Sequence, residues 1–247
     1  MDRMLYVAMS GAKQMMIAQA ANAHNLANVS TFGFRADLSS FRSMPVFGEG
    51  HPSRVYAMAE RPGTDFATGS IIGTGRDLDV AIKTDGWISV LGEGAREAYT
   101  RNGSLQIVSG GRLLTSDGHA VMGNLGPIAL PPADKIEIAP DGTISLRIRG
   151  QDATAPAVVD RIRLVKPYNA DLVKGNDGLM YSRDPNQVVL PDAAVQLVSS
   201  ALETSNVNAV DSMITMISLA RQFEMQVKLM TTAERNDRAA ASIMRIT

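Results

Sequence analysis

Residues 24–34 read HNLANVSTFGF, and at this stretch the chain changes character. Leu26 continues a helical pattern, but the short polar side chains of Asn28 and Thr31 hydrogen-bond nearby backbone and so compete with a helix. Gly33 can adopt a positive φ at little cost. We therefore expect the first helix to end here, as any ordinary helix could.

Proline and glycine divide the chain into two unbroken ends and an interrupted middle. All 11 prolines fall between Pro45 and Pro191, and every glycine except Gly11 falls between Gly33 and Gly178. Both residue types interrupt helices. The two ends are therefore predicted to be helical and the middle is not.

The N-terminal end carries a stripe of mostly apolar and small residues at alternating spacings of four and three. This spacing is that of a heptad repeat, which places the stripe on one face of a helix. At about 1.5 Å per residue, a helix of about 25 residues is about 38 Å long. The stripe consists of Leu5, Met9, Ala12, Met16, Gln19, Ala23 and Leu26.

The C-terminal end repeats the same spacing. Val210, Ile214 and Ile217 widen its stripe on one side. Ser205, Asn206 or Asn208 could cap the helix at its start. The stripe consists of Ala209, Met213, Met216, Ala220, Phe223, Val227 and Met230.

The middle of the chain, from Ile71 to Leu190, reads as short strands separated by turns. Runs rich in β-branched residues alternate with pairs of residues that favour turns, as in antiparallel sheets. The turn pairs are Asp85-Gly86, Asn102-Gly103, Gly110-Gly111, Asp117-Gly118, Asp141-Gly142 and Asp177-Gly178.

Together these patterns predict an α+β fold. Long N- and C-terminal helices pair as an α-helical coiled-coil core, and a central antiparallel β domain lies between them in sequence. The expected divisions are a core helix with its signature turn (1–34), an extended connecting segment (35–70), the β domain (71–190) and the C-terminal core helix (191–247).

Composition excludes several classes of function. The 24 basic and 25 acidic residues leave a formal net charge of -1, so electrostatics predict no nucleic-acid partner. The absence of cysteine excludes disulfides, thiolate catalysis and Cys-ligated metals. The N-terminal residues lack the order of a secretory signal, and no apolar run approaches the roughly 18 residues of a membrane span. We expect no cleaved signal peptide and no spanning segment.

The sequence also predicts no catalytic residue, no metal and no cofactor. His24, His51 and His119 are scattered without the short spacing of a metal site. The run GTGRDL at 73–78 lacks the third glycine of a dinucleotide fingerprint. Asp77 and Asp79 lie at i and i+2 and could form a carboxylate pair, but apolar residues alternate with them, so both are expected at a solvated strand edge.

The simplest interpretation of the two stripes is a helical hairpin that packs within the chain. However, the stripes consist largely of Met and Ala, which bury little area per residue, so such a hairpin alone would be marginal. Val210, Ile214 and Ile217 also leave apolar surface that two helices cannot cover. These features favour partners outside the chain.

Residues 24–34 also resemble the N-terminal signature of the flagellar axial proteins, the group of rod and hook subunits. Leu202–Glu234 is similar to the C-terminal segment of that family, including Glu203 and Asn206. Asp79-Val80-Ala81 and Tyr99–Gly103 are similar to its middle, so the likeness covers nearly the whole chain. The signature matches at Asn25, Leu26, Ala27, Asn28, Thr31, Gly33 and Phe34.

Within this family, the chain length and three short runs are most like the proximal rod members. These runs are Asp85–Trp87, Leu164–Pro167 and Ala220–Phe223. Distal rod proteins have similar length and similar ends, and hook proteins share the signatures with a longer middle. Both remain alternatives.

The resemblance implies a structural subunit of the bacterial flagellar basal-body rod, without enzymatic activity. Such subunits are exported by the flagellar type III apparatus without a cleaved signal peptide and polymerise in the periplasm with copies of themselves and other rod proteins. Their terminal helices form the core of a tubular drive shaft that transmits torque and allows export through its lumen, with the β domain outside. The expected assembly residues are Leu5, Met9, Ala12, Met16, Ala23, Asn25, Leu26, Asn28, Thr31, Gly33, Phe34, Met213, Met216, Ala220, Phe223, Val227 and Met230.

Two functions from other classes remain open at this point. A β-domain hydrolase or carbohydrate-binding module would need a concave pocket with convergent Asp, Glu or His side chains. A secreted adhesin-like protein would serve attachment and not filament assembly.

Overall fold

The computed structural model describes residues 4–45, 55–148, 157–185 and 187–244. The chain forms two compact units. The first comprises Met1–Val29, Ala36–Asp65 and Val207–Thr247, and the second comprises Ser30–Arg35 and Phe66–Asn206. The polypeptide therefore passes between the units four times.

The first unit contains two long helices, α1 (Met4–Ala27) and α2 (Ala209–Met244). The Asn208 side chain caps α2, because its Oδ1 accepts hydrogen bonds from the backbone N–H of Val210 at 3.0 Å and of Asp211 at 3.4 Å. The helices run antiparallel: the Cα of Gly11 faces Gln226, and Asn22 hydrogen-bonds the backbone of Ser212.

The first unit also contains an antiparallel hairpin of β1 (Asp37–Pro45) and β2 (Val55–Thr64), which packs against α1. It lies in the segment predicted to be extended connecting chain. Apolar side chains such as Leu38, Phe41 and Met44 are exposed along β1, so the strand has no single buried face. Its sequence therefore shows no alternation of apolar and polar residues. A strand without one buried face lacks the signal by which strands are recognised.

The second unit is built from short strands whose pairings are all antiparallel, with two short 3-10 helices at Glu93–Ala95 and Asn169–Asp171. The strands are β3 (Ile71–Gly73), β4 (Val80–Ile82), β5 (Trp87–Leu91), β6 (Glu97–Thr100), β7 (Leu105–Ile107), β8 (Leu113–Thr115), β9 (Ala120–Val121), β10 (Ala133–Ile138), β11 (Thr143–Ile148), β12 (Ala157–Arg161), β13 (Leu164–Val165), β14 (Leu172–Lys174), β15 (Met180–Ser182), β16 (Leu197–Ser199) and β17 (Ala201–Glu203).

The largest sheet has eight strands in the order β14-β15-β6-β5-β9-β8-β7, with β13 also paired to β5. A second sheet has the order β10-β11-β12, and two further pairs are β16-β4 and β17-β3. The strands β16 and β17 thus place residues 197–203 in the β unit, and the C-terminal helix begins only at Ala209.

Four of the six predicted turn pairs connect hairpins in the structure. These turns join β7 to β8, β8 to β9, β10 to β11, and β14 to β15. The other two, Asp85-Gly86 and Asn102-Gly103, lie between strands that do not pair with each other. At Gly103 the reason for glycine is space, since a Cβ there would lie 1.7 Å from the Val80 carbonyl oxygen.

The core of the second unit is made of aliphatic side chains from most of its strands, including Val80, Ile88, Val90 and Leu105. A smaller cluster packs around Trp87 and Tyr99. Helical ends and a central antiparallel β region confirm the predicted α+β class. The pairing of the terminal helices as a coiled coil stays a prediction.

Gly110 and Gly111, in the β7–β8 turn, form a matched pair for mutation. Both have positive φ, but a Cβ at Gly110 would meet nothing within 4 Å, whereas one at Gly111 would lie 2.1 Å from the Leu130 carbonyl oxygen. We expect Gly110→Ala to cost about 1–2 kcal/mol of unfolding free energy through backbone strain alone. Gly111→Ala should cost at least about 2 kcal/mol more, because the Leu130 backbone must move.

Urea unfolding of the two full-length variants measures this difference. Equal free energies of unfolding would contradict the close approach of Leu130.

Candidate assembly surface

The buried side chains of α1 and α2 are mostly small. On α1 the buried residues are Ala8, Gly11, Ala12, Ala18 and Asn25, and on α2 they are Ser212, Leu219 and Ala233. A Cβ added at Gly11 would already lie 3.1 Å from the Gln226 side chain. Small residues bring the helices close together but bury little apolar area.

The large side chains of the predicted α1 stripe lie outside the seam between α1 and α2. Met9 is 54% and Met16 is 59% exposed. Leu5 and Ala23 are also exposed, and among the stripe residues Ala12 alone is buried. The predicted stripe is therefore displaced by one residue, about 100° around the helix, from the face that packs on α2.

The predicted α2 stripe is divided between the seam and solvent. Met216, Ala220, Phe223 and Met230 are half-buried. Met213 is 54% exposed, and Val227 is exposed as well. Beyond Ala233, every described residue of α2 is exposed. The helix thus continues past the part that α1 covers.

The first residues of the signature hold the end of α1 within the chain. The Asn25 side chain makes two hydrogen bonds to the backbone of Asp37, donating to its carbonyl at 2.9 Å and accepting from its N–H at 2.8 Å. His24 Nδ1 lies 2.9 Å from the Asp37 carboxylate. The Asn28 side chain donates to the His24 carbonyl at 2.9 Å, and this carbonyl also accepts the Asn28 backbone N–H at 3.2 Å at the helix end. Leu26 is half-buried.

The last residues of the signature belong to the second unit. The Thr31 carbonyl accepts from the N–H of Phe34 at 3.4 Å. Gly33 has φ +68°, and a Cβ there would lie 2.3 Å from the Arg101 backbone, so no other residue fits. Phe34 is buried, with the Lys174 ammonium 3.9 Å from its ring centroid. Contacts of these residues with a neighbouring subunit stay a prediction.

Next to the signature, a buried carboxylate joins three distant parts of the chain. Glu203 accepts from Arg35 Nη2 at 2.6 Å, from Arg101 Nη1 at 2.9 Å and from the Gly69 N–H at 2.9 Å. The side chains of Arg35 and Glu203 are each 1% exposed. Both guanidinium groups also lie over the Trp87 ring, at 5.9 and 5.5 Å from its centroid.

This Glu203 cluster lies where the chain enters and leaves the second unit. Arg35 precedes one passage and Phe66, which packs edge-on against Trp87, follows another. Asn206, at the last passage, donates its backbone N–H to Phe34 and its side chain to Ala67. The sequence alone does not predict the role of Arg35, because no local spacing relates residues 35, 101 and 203.

Two clefts among the described residues of the second unit lack a convergent set of Asp, Glu or His side chains. A cleft of about 400 Å³ beside Trp87 has one carboxylate, Asp85, which is exposed and 4.0 Å from Lys166. A cleft of about 620 Å³ has Glu93 and Asp177, but Tyr181 donates to Asp177. Burial, then this hydrogen bond, raises the pKa of Tyr181 to about 12. Tyr181 therefore stays protonated at neutral pH.

Asp79 is not solvated as predicted: it is 4% exposed, and its carboxylate accepts hydrogen bonds from Thr74 and Arg76. The described part of the chain offers neither a metal cluster nor a membrane-spanning helix. No group of three or more His, Asp or Glu residues there could hold a metal ion. Neither α1 nor α2, as far as the structure describes them, combines the length and apolarity of a membrane span.

Three family models match the chain. The model described as Flagella basal body rod protein matches residues 5–35. The model described as Flagellar hook protein FlgE/F/G D1 domain matches residues 81–146, and Flagellar basal body rod FlgEFG protein C-terminal matches residues 198–243. The matched segments include both terminal helices and the centre of the β unit.

Curated relatives match over nearly their whole length. The flagellar basal-body rod protein FlgF of Escherichia coli is 43% identical over 241 residues, 96% of each chain. The FlgF of Salmonella typhimurium is 40% identical over 249 residues, 99% of each chain. The flagellar basal-body rod protein FlgG of Bacillus subtilis is 30% identical over 259 residues, 95% of this chain and 96% of its own.

Glu203→Gln tests how much the Glu203 cluster stabilises the second unit. The variant keeps the shape of the side chain but leaves two buried guanidinium groups without a carboxylate. We expect a loss of about 3–5 kcal/mol in the free energy of unfolding. Glu137→Gln, at an exposed position of the same unit, is the control and should change it by less than about 0.5 kcal/mol. Indistinguishable thermal unfolding of the two variants would refute the role given to Glu203.

Proposed function

Because the chain belongs to the flagellar basal-body rod protein family, we propose that it polymerises through the exposed apolar faces of α1 and α2. The chain is a structural subunit of the basal-body rod and not an enzyme. It is more similar to the relatives named FlgF than to the one named FlgG.

One observation carries this proposal. The two helices meet through small residues, while large apolar side chains such as Met9, Met16 and Met213 remain more than half exposed. An exposed apolar surface of this extent is typical of a protein–protein contact. The described residues of α2 beyond Ala233 add a stretch of helix that this chain itself does not cover.

The kind of contact suggests the kind of assembly. The α1 and α2 faces differ, so a contact between one face and the other is head-to-tail. Such a contact generates a helical polymer when the rotation between subunits does not close a ring, and we propose this case for the rod. A tube of this kind serves as a drive shaft that transmits torque and leaves a lumen for exported proteins. The 3-4 spacing of Ser212, Met216, Leu219 and Phe223 on the buried side of α2 supports coiled-coil-like pairing of the helices.

The remaining parts of the proposal concern place and partners. Subunits reach the periplasm through the flagellar type III export apparatus, without a cleaved signal peptide, and join copies of themselves and other rod proteins. A position in the proximal rod is supported by the greater identity to FlgF relatives. A distal rod or hook-type position is the alternative.

The signature residues have a supporting part in this proposal. Asn25 and Asn28 hold the end of α1, and Gly33 and Phe34 anchor the chain in the β unit. We propose that they also contact neighbouring subunits, as their place in the signature suggests.

Met16→Asp and Met213→Asp test the assembly surface directly. Each places a carboxylate where a neighbouring subunit would pack, and a buried unpaired charge costs several kcal/mol. We expect each variant to fold, to be exported and to be incorporated into basal bodies at least about tenfold less than the wild type, with loss of motility. The measurement is an immunoblot of purified basal bodies together with a soft-agar assay.

Leu125→Asp is the matched control, because Leu125 is almost fully exposed in the β unit. It should assemble normally. A motile strain with normal amounts of the Met16→Asp subunit in its basal bodies would overturn the proposed function.

A further inference from the structure

The start of α2 carries a compact apolar patch. Val210, Met213, Ile214 and Ile217 are between 54% and 63% exposed. Their spacing of i, i+3, i+4 and i+7 places them on one face, which is the pattern of a helix that packs into a partner. Asp211 is the only charged residue from 209 to 220. We call these four residues the α2 patch.

The exposed face of α1 carries a second patch, made of Leu5, Met9 and Met16. Lys13 lies four residues after Met9 and three before Met16, which places it beside both on the helix surface. Apart from His24, Lys13 is the only Lys, Arg, His, Asp or Glu in Met4–Ala27. We call Leu5, Met9 and Met16 the α1 patch. Lys13 therefore lies beside the α1 patch and Asp211 beside the start of the α2 patch, and these two charges have opposite sign. The exposed Arg221 follows Ile217 by four residues, at the end of the α2 patch away from Asp211.

These two charges do not meet within one chain. Gly11 faces Gln226 and Asn22 bonds Ser212, so Lys13 lies level with about residue 223 of its own α2. From there to Asp211 is about 12 residues, or roughly 18 Å along the helix. Both side chains are exposed, and no ion pair joins either to another described residue.

We propose that the α2 patch of one subunit packs antiparallel on the α1 patch of a second copy of this chain, with Lys13 and Asp211 paired across the contact. When these two residues are level, Met9 lies within one residue of Ile214 and Leu5 within two residues of Ile217 along the helices. These large apolar side chains then face one another, whereas Met16 lies level with residue 208, just before the start of α2. This inference rests on the proposed function and specifies which faces of the helices meet.

The proposed contact determines how successive subunits are displaced. Its register differs from that within the chain by about 12 residues, so the second copy is shifted by roughly 18 Å along the helix axis. The contact is head-to-tail, because each copy offers its α1 patch to one neighbour and its α2 patch to another. The charge pair fixes register and orientation, while the apolar side chains supply most of the buried area.

Disulfide trapping tests this contact. Since the chain has no cysteine, the double variant Met9→Cys/Ile214→Cys has only the two introduced thiols. Within one chain, Met9 lies level with about residue 228, roughly 20 Å from Ile214, which is beyond the reach of a disulfide. After oxidation of isolated basal bodies, we expect a disulfide-linked dimer and higher multimers of the subunit on a non-reducing gel.

Two control variants define the specificity of the cross-link. In Met9→Cys/Thr215→Cys the second thiol is also at an exposed position and nearly level with Ile214, but it is turned about 100° around α2, and no cross-link is expected. Met9→Cys alone should give no dimer either. A dimer from this single variant would indicate a symmetric contact between two α1 patches and would overturn the proposal.

Charge reversal tests the ion pair. Lys13→Asp or Asp211→Lys places like charges together and should each lower incorporation at least about tenfold. The double variant Lys13→Asp/Asp211→Lys restores opposite charges and should recover incorporation. A carboxylate in the first turn of α2 is also favourable for the helix itself. Asp211→Asn removes this carboxylate without adding a positive charge, so it should lower incorporation less than Asp211→Lys does. Failure of the double reversal to recover incorporation would overturn the pairing.

The outcomes distinguish this inference from the proposed function. Assembled basal bodies without the Met9–Ile214 cross-link, or with a cross-link to a different rod protein, would overturn the contact between copies but leave the rod-subunit assignment intact. Normal incorporation of Met16→Asp would instead overturn assembly through the helices altogether.

Discussion

The close approach of α1 and α2 determines what the rest of the first unit can do. At Gly11 even a methyl group would press against Gln226, and Ala8 and Ala18 line the same seam. The Gln226 side chain of α2 fills the space at Gly11, and Met9 and Met16 project from another face of α1. The seam buries little apolar area, and therefore stabilises the pair only modestly within one chain. Because small residues occupy the close contact between the helices, large apolar side chains such as Met9 and Met16 lie on their outer faces and remain exposed.

The second unit relies on a different kind of interaction at Glu203. Removing a carboxylate from water is costly, and here two guanidinium groups and a backbone N–H offset that cost. The net stabilisation of such a cluster is small compared with the penalty for breaking it. A cluster of this type specifies one arrangement of Arg35, Arg101 and Glu203 much more strongly than an apolar contact of the same size would. That precision is useful where several passages of the chain meet.

The spacing of apolar residues predicted where the helices lie better than it predicted which face of each helix is buried. Both ends are helical, and the Gly110-Gly111 turn lies where its residue types predicted. The sequence of α1 shows a heptad spacing, but small and large residues both count as apolar in such a pattern. Ala8, which is buried, and Met9, which is exposed, therefore belong to two adjacent stripes. Periodicity alone cannot tell which stripe faces the same chain and which faces a neighbour. The β1–β2 hairpin and the Glu203 cluster were missed because neither leaves a local pattern: the hairpin has no single buried face, and the cluster joins residues far apart in sequence.

The chemistry of the exposed faces matches the variety of neighbours that a rod subunit has. Most of the 14 methionines lie in α1 and α2, while the β core is dominated by branched aliphatic residues. A methionine side chain is unbranched and flexible, so it can adjust to partners of different shape at little cost. In the proposed assembly the subunit contacts copies of itself and other rod proteins, so it meets surfaces that are not identical. Flexible side chains would provide contact area on each neighbour, and the proposed pairing of Lys13 with Asp211 would supply the register that methionine alone does not specify.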